Sequence, residues 1–209
     1  MTNHATISNQ HASRAISTQN LSARFEEALV FASRLHAHQL RKGSQTPYVA
    51  HLLAVASIVL ENGGTEDETI AALLHDAVED QGGAKTREEI RHRFGDNVAA
   101  IVDGCTDSDR LFKPPWRKRK EDYIAHVRTA SPSVRLVSMA DKLHNARSIL
   151  SDYRLSGEST WDRFKGGKEG TLWYYRSLVE TFRRIETTPL VEELDRVVTE
   201  IERLASNTK

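Results

Sequence analysis

From residue 22 onward, apolar side chains recur at three- and four-residue intervals, the period of an α-helix. Phe25, Leu29, Ala32 and Leu35 form one such stripe over 22–40. The run VAHLLAVASIVLEN, 49–62, is apolar nearly all round and predicts a central helix that stops at Gly63-Gly64. Thr65, with Glu68 three residues on, is a capping box that opens a helix through 81. Thr86 and Glu89 repeat that signal for a short helix to Phe94, and Asp96 is placed to cap NVAAIVDGCT. Pro114-Pro115 makes 107–116 a loop, with a charged helix after it over 117–129. Ser131-Pro132 then serves as cap and first helical residue of a helix to Leu150. The stretch 161–170 reads as a loop before helices at 171–186 and 190–205. No alternating strand pattern, repeat or long linker appears. The expectation is one all-α helical bundle over 21–209, with the last two helices packed across its front.

The chain has 209 residues, enough for a single domain with a sizeable core. Lys plus Arg and Asp plus Glu are balanced at 29 each, so no global field points to nucleic acid or an anionic membrane. The single cysteine, Cys105, excludes an internal disulfide and reads as a small core residue in a reducing compartment. No apolar run approaches a membrane span, and residues 1–20 are polar, without the apolar core of a secretory signal. They read as a flexible tail, and the protein as cytoplasmic.

One stretch breaks the pattern. AALLHDAVED, 71–80, carries an imidazole and three carboxylates within six residues of an alanine-rich helix. On a continuous helix, Ile70, Leu73, Leu74, Ala77 and Val78 fall on one side and His75, Asp76, Glu79 and Asp80 on the other. Three carboxylates on one face repel each other, and a cation among them removes the conflict. A solvated acidic face is the competing reading, but no lysine is interspersed. Two more polar groups interrupt apolar helices: His51 in YVAHLLAVA and Asp141 in VRLVSMADKLHN. A buried, unpaired Asp141 would cost several kcal/mol. Lys142, its neighbour, points about 100° away and is expected to be a poor partner. His51, His75, Asp76 and Asp141 together offer two imidazoles and two carboxylates. That set suits one divalent ion with positions left open for water.

The order H…HD…D on helices resembles the HD-domain metal-dependent phosphohydrolases. RKGSQTPYVAH, HDAVED and MADKLHNAR, in this order and spacing, resemble the hydrolase domain of the RelA/SpoT alarmone enzymes, in its stand-alone small alarmone hydrolase form. The resemblance covers roughly 21–185 and implies an HD-domain bundle with no nucleotide-synthesising part. It assigns metal ligation to the same four residues and implies Mn²⁺, one ion per chain. Such ligands also accept iron, cobalt or zinc. It implies a catalytic acidic pair, Glu79 and Asp80, and substrate contacts from Arg41, Lys42 and Asn145, with His144 in a supporting role. After Arg147 the match weakens. There Lys165, Lys168, Trp173 and Tyr174 are either phosphate and base contacts or a basic loop followed by core aromatics. WRKRK, 116–120, either lines the mouth of the site or is solvated.

The implied activity is hydrolysis of the 3′-diphosphate of guanosine tetra- and pentaphosphate to GDP or GTP and pyrophosphate. The expected partner is a small-molecule nucleotide, with no nucleic acid and no membrane. Two alternatives stay open: a phosphatase for another nucleotide, such as the 2′-phosphate of NADPH or an adenosine alarmone, and a non-catalytic nucleotide-sensing HD domain. The intact HDxxED argues against the second, because a binding module needs no paired carboxylates beside a metal. Base preference and oligomeric state are not encoded in any recognisable pattern.

Overall fold

The computed structural model describes residues 20–106 and 114–206. The expected tail lies outside the described residues but for residue 20, as does most of the 107–116 loop. The helices are α1 (Ala23–Leu35), α2 (Val49–Glu61), α3 (Glu66–Leu74), α4 (Ala77–Asp80), α5 (Ala84–Phe94) and α6 (Asp96–Cys105). After the gap come α7 (Trp116–Thr129), α8 (Pro132–Ser156), a 3₁₀ segment (Gly157–Arg163), α9 (Gly167–Ile185) and α10 (Pro189–Ser206). Among the described residues there is no strand, only an isolated bridge between Leu40 and Pro47. The all-α expectation holds.

The core forms where α2, α3 and α8 meet. Leu52, Val55, Val59, Ile70, Leu73 and Leu74 are all fully buried there. α3 packs against α1, α2, α6 and α8, which leaves it almost no solvent face. Close approach explains the turn into it. A Cβ on Gly64 would lie 2.3 Å from Val59 Cγ1, so only glycine fits between α2 and α3. α10 packs on α8 and α9, while α9 supplies residues to the cavity described below and α10 supplies none. Of the last two helices, only α9 therefore faces the cavity.

Two caps form as the sequence predicts. Thr65 and Glu68 make the reciprocal capping box of α3, and Ser131 Oγ accepts from Val134 N ahead of Pro132. Others differ. α1 ends at Leu35 rather than 40, and 36–48 become a loop. Within it Arg41 N donates to Thr46 O and Tyr48 N to Gln39 O, each at 2.8 Å. α5 starts two residues before Thr86, whose buried hydroxyl bonds Gln81 O instead of capping. Asp96 is the first helical residue of α6, not its cap, and pairs with Arg91. α8 runs six residues past 150, and most of the expected 161–170 loop is helical.

The largest departure is at the HDAVED segment. No continuous helix spans 65–81; the chain turns at His75-Asp76, and Asp76 takes φ −98°, ψ −2°. His75 Nδ1 donates to Ala72 O at 2.8 Å, the carbonyl to which a continuous helix would direct the Asp76 N–H. Its own side chain thus competes with the helix at the break.

Candidate metal centre

Three separate stretches bring the polar intrusions together. α2 supplies His51, the turn between α3 and α4 supplies His75 and Asp76, and α8 supplies Asp141. His51, His75 and Asp141 are buried. His51 Nε2 lies 3.2 Å from Asp141 Oδ1 and 3.7 Å from Asp76 Oδ2. His75 Nε2 lies 3.0 Å from Asp76 Oδ2 and 3.6 Å from Asp141 Oδ1. The donor atoms of His51, His75 and Asp141 all fall within 4.8 Å of one another, a grouping able to hold a metal ion.

The donor chemistry fits such an ion. With His75 Nδ1 committed to Ala72 O, its Nε2 is left buried without a hydrogen-bond partner, turned toward the two carboxylates. His51 Nδ1 faces His144 Nδ1 at 2.7 Å. When the hydrogen sits on His51, donated to His144, the His51 Nε2 lone pair faces the same point as that of His75. Burial, then the neighbouring His51 and Arg41, push His144 down to about 4, so it is neutral and able to accept. Buried polar groups left for a missing partner in this way are what a cation resolves.

The charges respond to each other. Burial alone would raise Asp141, but the Lys142 ammonium and the two imidazoles outweigh it and hold the carboxyl well below its usual range. The expectation for Lys142 was wrong. Its Nζ lies 2.5 Å from Asp141 Oδ2 and 5.0 Å from the Tyr123 ring centre. The four-carbon stem bends back across the angle that the backbone direction alone suggested. Oδ2 is thereby taken, leaving Oδ1 toward the histidines. Asp76 is held by Tyr48, whose hydroxyl donates to Oδ2 at 2.5 Å.

These groups open on a cavity of about 750 Å³. Glu79 and Asp80 line it, as do Arg41, Lys42, Asn145 and Tyr174. Burial, then repulsion from Asp76, raises the Asp80 carboxyl above its ordinary value, although Gln39 Nε2 donates to its Oδ2 at 2.7 Å. Asn145 joins rim to centre: its Oδ1 accepts from Arg41 Nη2 at 2.7 Å, and its Nδ2 donates to Asp141 Oδ1. Trp116, Arg119 and Lys120 of the WRKRK run also line it, as do Arg163 and Lys165.

Lys168 is not brought to the cavity. Its ammonium bonds Glu158 Oε1 at 2.8 Å and Ala205 O at 2.7 Å, tying α9 to the end of α10. α9 begins at Gly167, so Lys168 belongs to its first turn and not to a loop over the site. Trp173 instead stacks under Arg117, 3.1 Å from its ring centre. Tyr48 and Gln39 escaped the sequence reading. Tyr48, three residues before His51, shares its helical face, a spacing that could have found it. Gln39 sits in an irregular loop with no periodic signal.

An HD-domain family model matches residues 28–169. The guanosine-3′,5′-bis(diphosphate) 3′-pyrophosphohydrolase MESH1 of Xenopus tropicalis is 42% identical over 126 residues, which are 59% of this chain and 68% of that protein. Its Homo sapiens counterpart is 38% identical over 130 residues, 61% of this chain and 70% of that one. A solved structure described as a metazoan ortholog of SpoT that hydrolyzes ppGpp superposes with a TM-score of 0.73. It is 28% identical and covers 88% of this chain and 98% of the other.

Proposed function

Because the chain belongs to the HD-domain family, we propose that it is a metal-dependent 3′-pyrophosphohydrolase of guanosine tetra- and pentaphosphate. One observation carries the reading: donors of α2, the α3–α4 turn and α8 converge on one point of a cavity with two further carboxylates and a cationic rim. The relatives' named activity supports it.

His51, His75, Asp76 and Asp141 would hold one divalent ion, which we read as Mn²⁺ from its fit to mixed nitrogen and oxygen ligands. When bound, that ion supplies Lewis acidity, lowering the pKa of water and offsetting phosphoryl charge. Glu79 and Asp80 orient the attacking water and accept its proton. Raised above its ordinary value, Asp80 is a stronger base than a free aspartate. Water attacks the phosphorus bonded to the ribose 3′ oxygen, that P–O bond breaks, and the 3′ oxygen leaves with a proton. The products are GDP or GTP and pyrophosphate. Arg41 and Lys42 complement the phosphates, and Asn145 keeps Arg41 in register with the centre. Tyr174, which lines the cavity, is read as a further substrate contact.

The test is hydrolysis of guanosine tetraphosphate in ¹⁸O-labelled water by metal-loaded protein. We expect GDP and pyrophosphate, with the label in pyrophosphate. Orthophosphate as first product, or label on the ribose oxygen, overturns the mechanism. Faster turnover of NADPH would move the same site to a different nucleotide.

A further inference from the structure

Gln39 lies in the loop between α1 and α2 and has no assigned part in the site, yet both ends of its carboxamide are committed. Its Nε2 donates to Asp80 Oδ2 at 2.7 Å. Its Oε1 accepts from Gln81 Nε2 at 2.6 Å and lies 2.6 Å from His36 Nδ1. An ionised carboxylate only accepts, so the amide nitrogen must face Asp80. The amide oxygen then faces His36 and Gln81, and His36 Nδ1 must carry its hydrogen. No other arrangement satisfies all three contacts.

His36 is itself immobile. It is 2% exposed and stacks on Tyr48, with ring centres 5.3 Å apart and planes 18° from parallel. Tyr48 in turn donates to Asp76. Asp80, by contrast, ends a helix of only four residues and is followed by Gly82-Gly83, so little in its own element holds its side chain. Asp76 and Glu79 repel it from the same short stretch. An outside donor is needed to keep the carboxylate in one rotamer inside the cavity.

We propose that Gln39 is the positioning residue of Asp80. The amide, locked by His36 and Gln81, engages one carboxylate oxygen and leaves the other for proton transfer. The inference rests on the reading of Asp80 as one of the catalytic pair, and its test has an arm that does not depend on that reading.

Gln39→Met keeps length and volume while removing donor and acceptor. We expect kcat for guanosine tetraphosphate to fall about tenfold, as for a lost hydrogen bond to a charged group. KM and bound metal should stay within about twofold of the parent. In an Asp80→Asn background the same change should cost less than about twofold more, because the carboxylate it serves is gone. A loss carried in KM, or equal losses in both backgrounds, would make Gln39 merely structural and overturn the proposal. The substrate-free arm follows the Gln39 side-chain amide in ¹H–¹⁵N spectra. Its resonance should move when Asp80 becomes Asn, and an unmoved resonance overturns the proposal. If the parent protein hydrolyses no 3′-diphosphate nucleotide while the resonance moves, the coupling stands and the functional reading falls.

Discussion

On the outer face of α8, α9 and α10, four carboxylates meet six arginines. Asp195 takes Arg176 at 2.5 Å and Arg183 at 2.8 Å, and Glu202 also bonds Arg176. Glu200 bridges Arg203 and Arg154, and Glu193 bridges Arg196 and Arg147. Around the cavity the arrangement differs. Asp76, Glu79, Asp80 and Asp141 gather there, where Lys142 bonds Asp141, Tyr48 donates to Asp76 and Gln39 donates to Asp80. The outer set needs nothing further, and each exposed pair is worth only about 0.2–1 kcal/mol. The inner set faces an open cavity whose lining also carries Arg41 and Lys42, and it holds the His75 Nε2 that has no hydrogen-bond partner. A buried nitrogen left open beside carboxylates marks a binding site, whereas a dense ion-pair network marks a fastening.

The contrast can be broken most severely at Asp141. Asp141→Ala should abolish metal binding and turnover. It also strands the buried Lys142 charge, which should lower stability by about 3–5 kcal/mol. Adding Lys142→Met should recover much of that stability but none of the metal, as read by denaturant titration and elemental analysis. Recovery of metal by the double variant would place the ion elsewhere.

Next come the other two carboxylates that line the cavity. Glu79→Gln and Asp80→Asn should each retain the ion while kcat drops about 10²–10⁴-fold. In the parent, Asp80 must be ionised to accept a proton, and its raised pKa means that ionisation is lost sooner as pH falls. The acid limb of the kcat profile should therefore lie above the ordinary aspartate range. Asp80→Asn should change the shape of that limb; an identical profile would move the base to another group.

A smaller effect is expected at the rim. Arg41→Ala should raise KM about tenfold with a lesser change in kcat, since the contact serves ground and transition states alike. Steady-state kinetics with guanosine tetraphosphate decides this. The smallest effect belongs to the outer face. Arg176→Met removes the hub of Asp195, Thr199 and Glu202 and should cost about 1–2 kcal/mol of stability in urea, with activity unchanged. Lost activity there would erase the distinction between fastening and site.

Helix identity and order were legible because burial of one stripe imposes a period, and the Thr65 and Ser131 caps were legible because each is a local exchange of hydrogen bonds. The break at His75-Asp76 was not. Its apolar spacing is continuous, and what interrupts it is a side chain bonding a carbonyl three residues back. Thr86 and Asp96 are cap-like residues but no caps, since Gln81 O and Arg91, each five residues back, claim their side chains. In the centre, residues that interrupt apolar helices announced themselves. Lys142 did not, because a flexible stem is poorly described by backbone direction. Tyr48 and Gln39 act through contacts across a loop, and Lys168 is diverted by a carbonyl on α10, contacts that no local pattern encodes.

α8 carries Asp141, His144 and Asn145 at the centre and, on the same unbroken rod, Ser148 and Asp152 farther along the cavity wall. At about 1.5 Å per residue the helix sets the span from Asp141 to Asp152 near 16 Å, as a ruler would. Inserting a single residue between Asn145 and Ser148 would turn every graduation beyond it by about 100° and carry the far wall out of line with the centre. Length change is therefore forbidden within this span, and the loop at 36–48 is constrained too, because Gln39 and Arg41 are bonded to Asp80 and Asn145.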